Sequence, residues 1–230
     1  MEVSVVLPCL NEADTLESCL RKARQALESY SLQGEIIVAD NGSTDASPMI
    51  ARAMGAIVVQ IRERGYGSAL KAGIAAARGT YVIMADADDS YDLLEIPRFV
   101  EKLRAGYELV QGCRLPSGGG SVLPGAMPLL HRVGNPIFSW IARRWLGVSL
   151  HDIHCGMRGF TRALYADLDL QCQGMEFASE MVLKATTHGA KITELPITLR
   201  PDGRRSHVSH LRTFRDGWRH LRFFLRYRFR

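Results

Sequence analysis

The sequence contains no Cys-x-x-Cys pair; its five cysteines, Cys9, Cys19, Cys113, Cys155 and Cys172, form an odd, scattered set. That pattern excludes a zinc knuckle and a disulfide framework, and the thiols read as reduced groups in a cytoplasmic protein. Long apolar runs are missing as well. No window approaches the ~20 apolar residues that a membrane-spanning helix requires. The opening residues, Met1-Glu2-Val3-Ser4-Val5-Val6, carry neither a basic n-region nor a small-residue cleavage site. The expectation is a chain that is soluble or peripheral. No internal repeat is present. Acidic residues almost vanish at the C-terminus: beyond Arg200 only Asp202 and Asp216 remain, while Arg and His recur nearly every other residue. The net charge of +5 is therefore local rather than spread over the chain. No stacking-platform motif accompanies it, so nucleic acid is not the expected partner.

What is present is a folded globular composition, 47% hydrophobic and 23% charged over 230 residues. Apolar runs at 3–7, 35–39, 56–61, 81–85 and 108–111 read as strands, and the stretches between the first four have helical length and spacing. This alternation predicts an α/β fold with a mainly parallel sheet flanked by helices. In the first helix, 15–29, Leu16, Leu20, Ala23 and Leu27 share one face. Ser43-Thr44-Asp45 reads as an N-terminal cap for a second helix that ends at Gly55. Gly65-Tyr66-Gly67-Ser68 leads into a third, small-residue helix; close packing on the sheet is preferred there to a phosphate-cradling loop.

Ala85-Asp86-Ala87-Asp88-Asp89 follows directly on the run Tyr81-Val82-Ile83-Met84. Carboxylates are thereby placed at the end of a buried strand, where α/β sheets bind ligands. At such a turn Asp86 and Asp88 can both reach one hard cation through oxygen, as Mg²⁺ or Mn²⁺ requires, and a metal there can grip a diphosphate. The plainer alternative is a polar turn and helix cap.

Beyond Gln111 the alternation fails. Pro116-Ser117-Gly118-Gly119-Gly120-Ser121, with Pro124, Gly125 and Pro128, forms a long irregular segment. An aromatic-rich helix over 135–146 follows, carrying Ile137, Phe138, Trp140, Ile141, Trp145 and Leu146 around Arg143 and Arg144; a core position is preferred to a lipid-facing one. On a last helix, 208–230, Leu211, Phe214, Trp218, Leu221, Leu225 and Phe229 form one stripe beside Arg212, Arg215, Arg219, Arg222 and Arg226. That is a basic amphipathic helix suited to an anionic membrane surface, with docking on its own domain as the alternative.

Three motifs then line up. Pro8-x-Leu10-Asn11-Glu12, Asp40-Asn41-Gly42-Ser43-Thr44-Asp45 and Asp86-Ala87-Asp88 follow the first, second and fourth strands. Their order and spacing resemble the family 2 glycosyltransferases, which have the GT-A fold, a Rossmann-like mainly parallel sheet flanked by helices. Gly112-Cys113-Arg114, His154-Cys155-Gly156-Met157-Arg158-Gly159-Phe160, Met175-Glu176-Phe177-Ala178-Ser179-Glu180 and Glu194-Leu195-Pro196-Ile197-Thr198 are similar to the polyprenyl-phosphate hexosyltransferases such as dolichol-phosphate mannose synthase. Two departures stand out. Asn41 replaces the family's second Asp, and Ser90 stands where Gln is usual, as a shorter metal ligand beside Asp86 and Asp88. Many relatives continue into transmembrane helices after the basic helix.

The resemblance implies a catalytic domain over 1–207 and a membrane-contacting helix over 208–230. It implies a nucleotide pocket lined by Pro8, Asn11, Glu12, Asp40 and Asp86, with Asp40 near the base, and a divalent metal on Asp86 and Asp88. The donor it implies is a nucleotide-diphosphate sugar: GDP-mannose, UDP-glucose or UDP-N-acetylglucosamine. The acceptor is a polyprenyl or dolichyl phosphate at the cytoplasmic membrane face, and transfer is inverting; the alternatives are transfer by the same fold to a glycan or small-molecule hydroxyl, and nucleotide-sugar binding without turnover. Two phosphorylated substrates repel one another, so guanidinium clamps are needed. Arg114 and Arg132 are the acceptor-side candidates and Arg200 the diphosphate-side one, with Arg204 and Arg205 as substitutes. Asp152 and Glu176 are acceptor-side acids, read as loop braces more readily than as a general base. His151 and His154 flank Asp152 without a third ligand in register, so both read as loop or acceptor-site residues.

Overall fold

Parallel strands covered on both faces are apolar at successive positions rather than alternate ones. The first strands show this. Val3, Val5 and Leu7 pack into one core cluster and Val6 into the other, as do Ile36 and Val38 against Ile37. A computed structural model describes residues 1–205 and 222–223. The expected helix over 208–230 otherwise lies outside the described residues.

Strands β1 (Val3–Cys9), β2 (Gly34–Asp40), β3 (Ile57–Gln60) and β4 (Tyr81–Met84) pair in parallel, connected by α1 (Leu16–Ser29), α2 (Ser47–Ala53) and α3 (Tyr66–Ala75). After α4 (Ile96–Arg104), β5 (Leu109–Cys113) continues the same sheet. The α/β expectation holds, with strand ends within a few residues of those expected. Leu16, Leu20, Ala23 and Leu27 of α1 are all buried, which is the apolar face its spacing implied.

The alternation fails after β5 for a topological reason. β6 (Ser121–Val122) and α5 (Leu129–Leu146) lead to β7 (Arg158–Thr161), which inserts antiparallel between β4 and β5. Helices α6 (Arg162–Leu168) and α7 (Phe177–Thr187) then bring the chain to β8 (Ile192–Pro196), parallel to β5, and β9 (Thr198–Leu199), parallel to β6. The main sheet has the order β3-β2-β1-β4-β7-β5-β8. Cluster one holds α1 and α4 side chains such as Leu20 and Phe99; cluster two holds Leu70 of α3 and Phe177 of α7.

Close packing governs α3. A Cβ on Gly73 would lie 2.6 Å from Val6 Cγ1 and 3.1 Å from Ala39 Cβ, so the helix backbone rests on β1 and β2. Two local expectations change. The helix α2 starts later than Ser43-Thr44-Asp45 suggested, with Ala46 at its N-cap. Asp45 instead accepts from the Ser47 N–H at 2.9 Å and the Ala13 N–H at 3.1 Å, joining the loops that follow β1 and β2. And α5 is not a core helix: only Ser139 and Ala142 are buried, while Leu129, Leu130, Val133, Ile137, Trp140 and Trp145 are exposed.

Candidate active site

The loops leaving β1, β2 and β4 meet at the C-terminal edge of the parallel strands, the usual ligand edge of such a sheet. Pro8 lies in β1, paired with Ala39, and Asn11 follows with φ of 57°. That left-handed turn is tolerated by Asn better than by most residues, and it aims the side chain at the second loop. Asn11 Oδ1 accepts from the Thr44 N–H at 2.8 Å, while its own N–H donates to Ser43 Oγ at 2.9 Å. Asp40, buried at the end of β2, accepts from the Ser43 N–H at 3.1 Å. Asn41 uses both ends of its amide: Nδ2 donates to the Glu63 carbonyl and Oδ1 accepts from the Gly65 N–H at 2.8 Å. A carboxylate lacks that donor, so the departure from the family pattern ties this loop to the start of α3.

Asp86 and Asp88 follow β4. The Tyr66 hydroxyl donates to Asp86 Oδ1 at 2.9 Å. On the other side, a Cβ on Gly156 would sit 2.5 Å from Asp86 Oδ2, so only glycine admits the carboxylate there. Burial and the neighbouring negative charge of Asp88 push the Asp86 carboxyl up to about 6, against the pull of Tyr66, Arg114 and Arg204. Asp89, at φ of 61°, turns away and binds Lys22 Nζ at 2.7 Å and Ser18 Oγ at 3.0 Å. Ser90 is tied to Asp88. Its Oγ donates to Asp88 Oδ1 at 2.6 Å and its N–H to the same oxygen at 3.1 Å, so it orients Asp88.

The donor set fits a hard divalent cation. Burial first, and then the charge of Asp88, disfavour an ionised Asp86, and a cation beside the two carboxylates would offset both. Among the described residues no three His, Cys, Asp or Glu side chains form a metal cage. Mg²⁺ and Mn²⁺ are commonly held by one or two carboxylates, with water and substrate phosphate completing the shell.

The arginine beside these carboxylates is Arg204. Its Nε and Nη2 donate to the two Glu12 oxygens at 2.9 and 2.5 Å, and Nη1 lies 3.3 Å from Asp88 Oδ2. Burial works against this charge, but the carboxylates outweigh it and raise the guanidinium pKa. Arg200, expected at the diphosphate, instead pairs with Asp92 at 2.8 Å, and its backbone N–H donates to the Ser90 carbonyl. Arg205 meets Asp14 through its backbone N–H.

Arg114, at the end of β5, is buried and forms a two-pronged pair with Asp152: Nε to Oδ2 at 2.7 Å and Nη2 to Oδ1 at 2.9 Å. Burial opposes its charge and Asp152 more than restores it, raising the pKa. Nη1 is turned to the Tyr91 hydroxyl at 3.4 Å, which also accepts the Gly156 N–H at 2.9 Å. Asp152 is wholly buried and further accepts the Arg114 N–H at 3.0 Å. Spent in this way it braces a loop, and a general-base role does not fit it. Glu194 holds the same loop, accepting the His151 and Asp152 N–H groups at 2.7 and 2.8 Å and facing His151 Nδ1 at 2.7 Å. His154 lies 3.2 Å from Ser179 Oγ and edge-on to Phe138. Arg158, with no exposed surface, donates to the Ala178 and Cys155 carbonyls at 2.9 and 2.7 Å, and burial pushes its pKa down.

Arg132 is exposed on α5, and Glu176 is the N-cap residue of α7. Tyr66, Tyr91 and Gly156, to which the sequence reading gave no role, stand beside the carboxylates and Arg114, as does Arg204, read there only as a substitute for Arg200. Gly156 and Tyr66 lay inside quoted motifs, and Arg204 in a basic stretch after β9. Tyr66 and Gly156 reach Asp86 across separations that no local spacing reveals.

Residues 4–169 match the family model described as glycosyl transferase family 2. The chain is 41% identical over 225 residues to a low-salt glycan biosynthesis hexosyltransferase, Agl6, of Haloferax volcanii, covering 97% of this chain and 53% of that protein. It is 31% identical over 199 residues to a dolichyl-phosphate hexose transferase of the same organism, covering 86% of this chain and 83% of that one. The chain thus spans about half the length of the first relative and most of the second. Its fold matches glucosyl-3-phosphoglycerate synthase from Mycobacterium tuberculosis, solved with Mn²⁺, uridine diphosphate and phosphoglyceric acid, at a TM-score of 0.73 and 24% identity over 97% of this chain and 77% of that one. With three strand-end motifs converging on one edge of a GT-A sheet and a family model spanning most of its length, the chain belongs to glycosyl transferase family 2.

Proposed function

We propose that the chain moves a hexose, with inversion, from a nucleoside-diphosphate sugar to a polyprenyl phosphate at the cytoplasmic face of the membrane. The observation that carries this reading is the guanidinium of Arg204 lying 3.3 Å from Asp88, the neighbour of Asp86 in the turn after β4. Such a site presents carboxylates for a metal and a cation for phosphate within one contact distance. A bound Mg²⁺ or Mn²⁺ supplies Lewis-acid stabilisation of the charge that develops on the departing diphosphate. Tyr66 and Gly156 hold Asp86 in position, and Ser90 holds Asp88. Arg204 is pre-paired to Glu12 and Asp88 and turns to diphosphate oxygens when donor arrives; Pro8, Asn11, Glu12 and Asp40 frame the nucleoside.

On the acceptor side Arg114 is held rigid by Asp152, so its remaining donor edge is a fixed point for phosphate. Arg132, exposed on α5, supplies a second cation. An acceptor phosphate is already anionic and needs no strong base, which agrees with an Asp152 consumed by its ion pair. The dolichyl-phosphate acceptor named for one relative supports the same choice.

The test is transfer of label from a panel of radiolabelled nucleotide sugars to short polyprenyl phosphate, with and without chelator. Organic-soluble product from one donor, abolished by chelator and by Asp88→Ala, is expected. Donor consumption without lipid product would move the acceptor elsewhere, and donor turnover unaffected by Asp88→Ala would overturn the metal assignment.

A further inference from the structure

Helix α5 has two unlike faces. At ~100° per residue, Leu129, Trp140, Val133, Ile137 and Leu130 fall within a single arc about 100° wide. All five are exposed: 77%, 55%, 53%, 50% and 49% in that order. Arg144 lies inside the same arc, Arg132 and Arg143 flank it, and the opposite side carries the buried Ser139 and Ala142. The helix Leu129–Leu146 contains no acidic residue. An isolated exposed Leu is ordinary, but a contiguous strip of large apolar side chains with arginines along it marks a contact surface.

We infer that this strip docks on an anionic lipid bilayer, lying in the plane of the interface. Charge complementarity chooses the occupant. A second copy of the strip would set Arg132, Arg143 and Arg144 against their own equivalents, whereas anionic headgroups neutralise all three. Trp140 and Trp145 suit the headgroup boundary, where an apolar ring and a polar N–H are both satisfied. Arginine stems can cover apolar surface while their heads reach phosphate; Arg132 and Arg144 are exposed for this, and Arg143 donates to the Leu150 carbonyl at 3.4 Å. This deepens the polyprenyl-phosphate reading and draws its purpose from it: Arg132 is on the same helix, so docking presents that cation to a lipid-embedded acceptor.

The experiment is flotation of the full chain with vesicles of phosphatidylcholine and phosphatidylglycerol containing no polyprenyl phosphate, and with phosphatidylcholine alone. The wild type is expected to bind the anionic vesicles and release at high salt. Ile137→Gln/Trp140→Gln is expected to reduce partitioning by at least ~10-fold, since burying each such side chain contributes about one factor of ten or more. Its circular dichroism and melting temperature are expected to stay at wild-type values, because both side chains are half exposed. Binding equal to wild type in that variant overturns the proposal, as does loss confined to Arg215, Arg219 and Arg222 variants of the C-terminal stretch. A wild type that fails to bind anionic vesicles and sediments as a dimer broken by the same double change assigns the strip to a second copy instead. Because these vesicles lack the acceptor, failure here leaves the transfer reaction untouched, and failure of transfer leaves the docking result standing.

Discussion

Replacing Asp152 with alanine is expected to unfold the protein more readily rather than only to slow it. The carboxylate has no exposed surface and accepts four donors: Arg114 Nε at 2.7 Å, Nη2 at 2.9 Å and backbone N–H at 3.0 Å, with the His154 N–H at 3.3 Å. Its removal strands the Arg114 guanidinium, whose side chain is only 9% exposed. Breaking a buried pair on one side costs ~3–5 kcal/mol, because the surviving charge has neither partner nor water. For a domain of this size that lowers the melting temperature by about 6–20 °C. Urea denaturation followed by circular dichroism measures the loss directly. The double variant Arg114→Leu/Asp152→Leu removes both charges, and most of the stability is expected to return while lipid-directed transfer does not. A loss below about 1 kcal/mol in Asp152→Ala, or a double variant as unstable as the sum of its singles, would refute the buried-pair reasoning and reopen Asp152 as a free acid.

Arg204→Met is expected to weaken binding of UDP or GDP with Mn²⁺ by roughly 10- to 100-fold, the equivalent of about 1.5–3 kcal/mol for a charge-assisted contact. Calorimetry with both nucleotides checks this, and affinity unchanged beside a dead Asp88→Ala would remove Arg204 from the diphosphate site. At the opposite end of the sheet, burial of Glu35 would raise its carboxyl pKa, but bonds from Arg78 and Ser4 prevail and lower it. A depressed folded pKa stabilises above the unfolded value and is lost as pH falls through the folded one. Glu35→Gln is therefore expected to be destabilised by about 1–2 kcal/mol at neutral pH, with the gap closing below the usual glutamate range near ~4.3. A gap that does not narrow at all as the pH is lowered through the acid range would sink that account.

Where the chain runs as strand, helix, strand, one-dimensional pattern was enough. Continuous apolar runs predict β1 to β5, and the Leu16, Leu20, Ala23, Leu27 face predicts α1, because burial on both sides of a parallel sheet and on one side of a helix writes directly into residue spacing. The carboxylates Asp86 and Asp88 were legible for the same reason, since they interrupt an apolar run at a strand end. Legibility stops at β7, an antiparallel strand inserted between β4 and β5 from the far side of a long connection. It stops again at the polar partners. Arg114 and Asp152 are 38 residues apart, Tyr66 and Asp86 are 20, and Arg204 and Glu12 are 192. No periodicity links such pairs, because their spacing is set by how loops fold back over the sheet. The exposed strip of α5 follows the same rule. Its apolar residues were visible in the sequence, but an apolar helix is core or surface according to what packs against it, and only the tertiary structure turned Leu130, Val133, Ile137 and Trp140 outward.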